Sequence, residues 1–453
     1  LTDYYNLGLI KCFAFYYFLA GVAVEKLLYQ GYCVMGTVLY GLLWSLLPLL
    51  KRLGSRYSYG LEQRLGVYEP GFRPNGKQKC IWLHASSVGE VQAALLLVHQ
   101  LRAQLPDTRL MVTTTTEQGQ KFAQRKLPEG VACFMAPLDF HPVVHRVLSR
   151  LQPDVYVCLE TELWPVLLHA VSKQKIAACL VNARLSERSH ARYMYIQSFM
   201  ADVLQAFNQV VAITEDDARR LMALGVPPER ISISGNIKTA VLRKDRSVIE
   251  GKYNKILNRS GQIVFLCGST HQGEEELLFP VYQQLRTVRE ALWIIAPRHL
   301  ERVPEITRWL TGRNIGFQQL STLKTGAKRS ASVIVVDTMG DLAELYSVAT
   351  FSFCGGSLVP KGGHNIMEVV QWEQPVYFGP YMNDFKFEAK HLCKAGCGFQ
   401  VNTQTELASL LLDHVLNQNS YEQACENAQG VLAQGDFIVN QQVAAITKLV
   451  HAT

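Results

Sequence analysis

From Lys79 to about Lys238, short β-rich apolar runs alternate with longer periodic ones. The strand candidates are CIWLH, RLMVTTT, ACFMAP, DVYVCLE, IAACLVN, QVVAIT and ISISG. Helical runs such as Glu90–Leu105, His141–Leu151 and Glu162–Lys173 lie between them. Nearly continuous apolar strands joined by helices predict a parallel sheet covered on both faces. Arg243 to Gln262 is polar and reads as an interdomain connection. The alternation then restarts with IVFLCGS, LWIIAP, VIVVD, TFSFCGG and PVYFG. The pattern therefore predicts an α/β chain with two doubly wound domains. Such sheets bind ligands beyond the carboxyl ends of their strands, and the cleft between two of them is the expected active site. The expected boundaries are an amino-terminal segment 1–52, a first domain 53–242, a linker 243–262, a second domain 263–435 and a last helix within 436–453.

The amino-terminal segment changes this picture. Tyr32 to Leu50 carries no charge, and Lys51, Arg52 and Arg56 come directly after it. A helix of that length comes close to the ~20 residues that span a bilayer. The basic cluster predicts that the chain beyond it is cytoplasmic. An earlier apolar run, Cys12 to Val24, is shorter and suits a second membrane segment, an interfacial helix or a packed helix. No small-residue cleavage site comes after it, so a retained membrane-associated segment is expected rather than a signal peptide. Spanning and shallow insertion both remain open at this point.

Composition narrows the partners. The chain has 453 residues and a net charge of +7. That balance favours anionic lipids or phosphates, but no basic run suggests nucleic acid. The 11 cysteines fall mostly inside apolar runs, which reads as reduced, buried thiols. Cys393 and Cys397 form a C-x-x-x-C without a second ligand pair, so no metal site is expected there.

Candidate chemistry sits just after the strands. Ser87-Val-Gly-Glu90 has the form of a capping box, and Glu90 is equally readable as a general base. The base reading requires a carboxylate turned away from the Ser87 backbone, whereas a capping role would let the helix dipole lower its pKa. Glu160 and Glu162 come after DVYVCL; Glu162 suits a helix start before Pro165, which leaves Glu160 as the functional acid. Lys238 ends GNIK. Ser269 lies in CGSTHQGEEE, and Arg298 sits just past a buried strand and Pro297, where it can fork onto a phosphate or carboxylate. Asp337 ends a strand, and Gly340-Asp341 opens a helix. The run GGSLVPKGGHNIME combines Gly355, Gly356, Gly362 and Gly363 with Ser357, Lys361 and His364. It predicts a backbone nest for an anion at a helix start. Asn365 and Glu368 share the first-turn face, where the acid can accept ribose hydroxyls. Neither a Walker A nor a G-x-G-x-x-G sequence is present, which argues against an NTPase and an ordinary nicotinamide enzyme.

HASSVGE, ETELWP, NARLSERS, GNIK, GSTHQGEEE, PRHLER, DTMGDL and GGSLVPKGGHNIME, in this order, resemble the motifs of 3-deoxy-D-manno-octulosonic acid (Kdo) transferases of lipopolysaccharide synthesis. The resemblance covers roughly residues 35 to 400. It implies the GT-B glycosyltransferase architecture of two Rossmann-like domains. It implies CMP-Kdo as donor, the lipid A precursor lipid IVA as acceptor, inner-membrane lipid as partner, and a location on the cytoplasmic face of the bacterial inner membrane. It implies no cofactor, no metal and no nucleic acid. Glu90 matches the family's general base, and Glu160 and Lys238 match positions that stabilise the transition state. Pro297-Arg298, Met339-Gly340-Asp341 and the run Asn365, Ile366, Met367, Glu368 match its CMP-binding segments. The family often has Glu where this chain has Asp341, and Pro in place of Leu300. A GT-B enzyme for another nucleotide sugar, a GT-B-shaped sugar-nucleotide epimerase, and a non-catalytic membrane-bound nucleotide-sugar binding protein are the alternatives.

Overall fold

The computed structural model describes residues 27, 29–52, 59–68, 78–241, 246–259 and 261–453. The run Cys12–Val24 and Arg56 lie outside the described residues. The chain divides into two units, Leu1–Lys238 with Phe437–Thr453, and Thr239–Asp436.

In the first unit seven strands form one parallel sheet. They are β1 (Cys80–His84), β2 (Arg109–Thr114), β3 (Ala132–Met135), β4 (Val155–Leu159), β5 (Ala177–Ala183), β6 (Gln209–Ala212) and β7 (Ile231–Ile233). Their order is β3-β2-β1-β4-β5-β6-β7. β1 and β4 are buried along their whole length, as expected for strands covered on both faces. Between them the strand order reverses direction, which makes their carboxyl ends the switch point where such sheets bind ligands.

The second unit repeats the plan. Its strands are β8 (Ile263–Thr270), β9 (Ala291–Pro297), β10 (Gln318–Gln319), β11 (Val333–Val335), β12 (Phe351–Cys354), β13 (Val376–Phe378) and β14 (Gly398–Gln400). Their order is β10-β11-β9-β8-β12-β13-β14, again all parallel, with the switch point between β8 and β12. Each sheet thus carries a pair of the motif loops at its switch point.

Three elements differ from the sequence expectation. The stretch 243–262 contains a helix, Arg246–Leu257, rather than a plain connection. Ile249, Tyr253, Ile256 and Leu257 recur at helical spacing and pack into the second core. Arg246 fixes the outer face by donating to Glu250 Oε1 at 2.7 Å and to the Trp372 carbonyl at 2.8 Å. The last helix is longer than expected, Gln418–Ala452, because Ala424, Ala428, Val431 and Leu432 extend its buried stripe backward. The helix after β4 begins at Pro165, not at Glu162. Its start is held by buried Asp139, which accepts from Val166 N at 3.0 Å and Leu167 N at 2.8 Å.

The apolar amino-terminal segment forms a helix, Tyr29–Arg52, long and apolar enough to cross a membrane. One stripe, including Tyr29, Tyr32, Cys33, Tyr40, Leu43 and Leu47, packs on the first core. A side chain at Gly36 would meet Phe140 at 3.0 Å, so the helix lies close on the unit there. Arg146 donates to the Tyr40 hydroxyl at 2.9 Å and stacks over Trp44. Val34, Met35, Val38, Leu42 and Leu49 are exposed on the outer side.

Candidate active site

The loop after β1 sets the first cluster. Ser87 has extended backbone and caps the helix Val88–Gln104. Glu90 is turned back onto this turn rather than away from it. Its Oε2 accepts from Ser86 N at 2.8 Å, and its Oε1 accepts from the Ser87 hydroxyl at 2.9 Å. The orientation required for a free base is therefore corrected: at a buried strand end these two donors need an acceptor, and the carboxylate supplies it. The expected lowering of its pKa is corrected as well. Burial pushes the Glu90 carboxyl up, nearby Glu160 and Glu162 add to this, and together they outweigh the bonds from Ser86 and Ser87. Each carboxylate oxygen keeps a second acceptor position for a ligand hydroxyl.

The loop after β4 supplies the other acids. Glu160 takes a left-handed backbone, φ 58°, while its N–H still reaches the Val181 carbonyl at 3.0 Å. Such a conformation costs of order 1–3 kcal/mol in a non-glycine residue and aims its side chain out of the strand line. Glu160 Oε1 pairs with Lys238 Nζ. Lys238 is positioned by two amide caps: Asn182 Oδ1 accepts from Ile237 N and Asn236 Oδ1 from Lys238 N, both at 3.0 Å. A side-chain carbon at Gly89 would lie 3.7 Å from Lys238 Nζ, which puts the ammonium beside the start of the Glu90 helix.

Glu162 serves His84 instead of a helix start. Its Oε2 lies 3.1 Å from His84 Nε2, and His84 Nδ1 lies 3.0 Å from Thr113 Oγ1. Burial acts to raise the Glu162 carboxyl, but hydrogen bonds from His84, Ser86 and Trp164 prevail and hold it below its ordinary value. Two neighbouring acids are thus pushed apart, Glu90 up and Glu162 down, the pattern that separates a proton acceptor from a fixed charge. His84 was missed as a site residue; the available signal was one polar side chain ending an otherwise apolar strand.

In the second unit the first part of the glycine-rich backbone is already occupied. Glu274 is fully buried, and its Oε2 accepts from His271 N at 2.9 Å and Gly356 N at 2.7 Å. Its Oε1 accepts from Ser357 N at 3.1 Å and Leu358 N at 3.0 Å. Gly355 N donates to the Gly268 carbonyl and Gly363 N to the Gly356 carbonyl. The expected anion nest at Gly355, Gly356 and Ser357 therefore holds the protein's own carboxylate. The next helix is only Met367–Val370, so its dipole adds little. Gly355 is required by a close crossing, since a side chain there would lie 2.4 Å from the Ser269 carbonyl oxygen. Ser269 itself is left-handed, φ 56°.

The other assigned residues divide by exposure. Arg298 is exposed, and its guanidinium has no hydrogen-bond or ion-pair partner among the described residues. Lys361 is exposed on the loop as well. Asn365 Oδ1 accepts from Met367 N at 3.1 Å, and its amide reaches Glu368 Oε1 at 3.4 Å, so the shared face holds. Ile366 and Met367 point into the core and reach a ligand only through their backbone. Asp341 is consumed by Tyr253 OH at 2.6 Å, Lys324 Nζ at 2.9 Å and Thr338. Beside that engaged side chain Met339 is exposed and Gly340 takes a left-handed backbone. His271 Nε2 lies 2.9 Å from His364 Nε2 with the two rings end to end and nearly coplanar, and His299 meets His271 edge-on. His271, His299 and Glu274 are site residues that the sequence reading passed over. The cations and imidazoles here suit an anionic ligand; in the first unit a basic carboxyl and an ion pair suit the activation of a hydroxyl.

A family model described as 3-deoxy-D-manno-octulosonic-acid transferase (kdotransferase) matches residues 59–241. The chain is 30% identical over 388 residues to the 3-deoxy-D-manno-octulosonic acid transferase of Haemophilus influenzae, covering 85% of this chain and 90% of that one. It is 31% identical over 350 residues to a bifunctional glycosyltransferase/methyltransferase of Fusobacterium nucleatum, covering 76% of this chain but only 54% of that one. Among solved structures, the UDP-GlcNAc 2-epimerase of Neisseria meningitidis is similar with a TM-score of 0.50 at 11% identity, over 83% of this chain and 100% of that one. That likeness concerns the two-sheet GT-B fold alone. With motif loops at both switch points and relatives matched over most of their length, the chain belongs to the 3-deoxy-D-manno-octulosonic acid (Kdo) transferase family of glycosyltransferases.

Proposed function

We propose that this protein transfers Kdo from CMP-Kdo to the lipid A precursor lipid IVA, with inversion and with Glu90 as general base. The observation that carries the reading is the Glu90 carboxyl, raised by burial at the switch point of the first sheet. A base works best when its pKa approaches the working pH. Glu90 takes the acceptor hydroxyl proton as that oxygen bonds to the anomeric carbon of Kdo. The bond from that carbon to the phosphate oxygen breaks, and CMP leaves with the electron pair. A single displacement inverts the anomeric centre. Glu160 and Lys238, paired beside Gly89, stabilise the transition state. Charge on the departing phosphate is met by side chains, Arg298 foremost, rather than by a metal ion or the glycine-rich backbone. Asn365 and Glu368 accept the ribose, and the backbone of Met339–Asp341 meets the base or sugar.

The site of action in this reading is the cytoplasmic face of the inner membrane. It is supported by the helix Tyr29–Arg52, which is docked along one stripe and apolar on its outer side. A docked helix of this kind suits insertion into one leaflet beside the unit.

The test is direct. Full-length protein in detergent is incubated with CMP-Kdo and lipid IVA, and the lipid is weighed by mass spectrometry. The expected product carries one or more added Kdo residues. Absence of product, together with thermal stabilisation by UDP and none by CMP, overturns the donor assignment.

A further inference from the structure

We propose that His271 and His364 form a proton-sharing receptor for an anionic group of the nucleotide-sugar donor, taking up one proton as the anion docks. This inference rests on the CMP-sugar reading above. Two Nε2 atoms at 2.9 Å are bonded only if one carries the proton and the other offers its lone pair. The rings lie end to end and nearly coplanar, with centroids 5.2 Å apart and an interplanar angle of 5°, as an in-plane N–H···N bond requires, and Gly356 makes room for both. A side-chain carbon at Gly356 would lie 3.1 Å from His271 Cδ2 and 3.2 Å from His364 Nε2. Because Glu274 consumes the N–H groups of Gly356, Ser357 and Leu358, these three are closed to an arriving anion, and the imidazoles beside them supply the donors instead.

The charged groups facing the pair are mostly positive. Arg298, Arg302, Lys361 and His299 act on His271, and Arg298 and His299 act on His364. Asp384 opposes them at His364, and Glu274 holds the His271 backbone N–H. Burial first and then these cations hold His364 down to about 4, and His271 below its ordinary value. The free pair is therefore neutral near pH 7, with one Nε2–H between the rings. An anion reverses the local sign and favours the charged form. One proton from solvent then adds to the accepting Nε2, the bond between the rings opens, and both rings present an N–H to the ligand.

The measurement is calorimetry on the full-length protein, in two buffers of different ionisation enthalpy, across pH 6 to 8. The probe is cytidine 5′-methyl phosphate, a diester with no proton of its own to exchange in that range; cytidine and intact CMP-Kdo without acceptor are the companion ligands. Net uptake of up to one proton per diester is expected, with affinity rising about tenfold from pH 8 to 6. His364→Gln and His271→Gln should each abolish uptake and flatten the pH dependence. Uptake with CMP-Kdo but not with the diester identifies the sugar carboxylate as the bound anion; uptake with both identifies the phosphate. Diester and donor binding without uptake, or uptake unchanged in both variants, overturns the receptor and leaves the CMP-sugar reading standing. No binding of any cytidine ligand overturns both.

Discussion

In the proposed reaction Glu90 combines two duties that usually compete. Its carboxylate closes the turn before the helix Val88–Gln104, yet burial and two neighbouring acids keep it more basic than an ordinary carboxyl. A base is active when deprotonated, so kcat/KM should fall as pH drops through this raised value. The acid limb should then lie above the ~4.3 of an unperturbed glutamate. Ser87→Ala removes a bond that favours the charged form, and the limb should move further up. The same change removes the cap and should cost about 1 kcal/mol of stability. A pH profile of the variant checks both the sign and the role; an unmoved limb would assign the titration to another group.

Strand pairs at the centre of each sheet were legible because both faces are buried, which leaves unbroken apolar runs such as VYVCL and LWIIA. β10 and β14 were not, since they are short edge strands without such a run. The helix Arg246–Leu257 hid its stripe among charged residues. The loop at Gly355–Ser357 was visible as unusual, but its partner was not. Glu274 lies 82 residues before Gly356, and the imidazoles of His271 and His364 are separated by 93. Local pattern does not encode such pairings; the parallel crossing of β8 and β12 creates them. Glu274→Gln keeps the shape but turns an amide donor toward N–H groups that need an acceptor. Bonds to a charged acceptor contribute about 1.5–3 kcal/mol each, so the midpoint of thermal unfolding should fall by several degrees. CMP affinity should fall with it, because the loop that carries His364 loses its anchor. Calorimetry and thermal unfolding on the same variant read both, and unchanged values would show that the loop holds itself.

At the scale of the molecule, the helix Tyr29–Arg52 has one face committed to the first core and another that water does not favour. Deleting it would uncover Phe140 and its neighbours, so substitution of the outer face is the cleaner test. Val38, Leu42 and Leu49 changed together to Gln should abolish flotation with anionic vesicles while the soluble protein keeps its CMP affinity. Retained flotation would place the membrane contact elsewhere. The central claim, however, is the chemistry assigned to Glu90. Glu90→Gln preserves an acceptor for Ser86 N–H and removes the basic oxygen. The decisive measurement is its initial rate of Kdo transfer to lipid IVA beside its affinity for CMP. A loss of about 10²–10⁴-fold in rate with unchanged CMP binding is the predicted result; turnover near that of the unchanged protein would contradict the account.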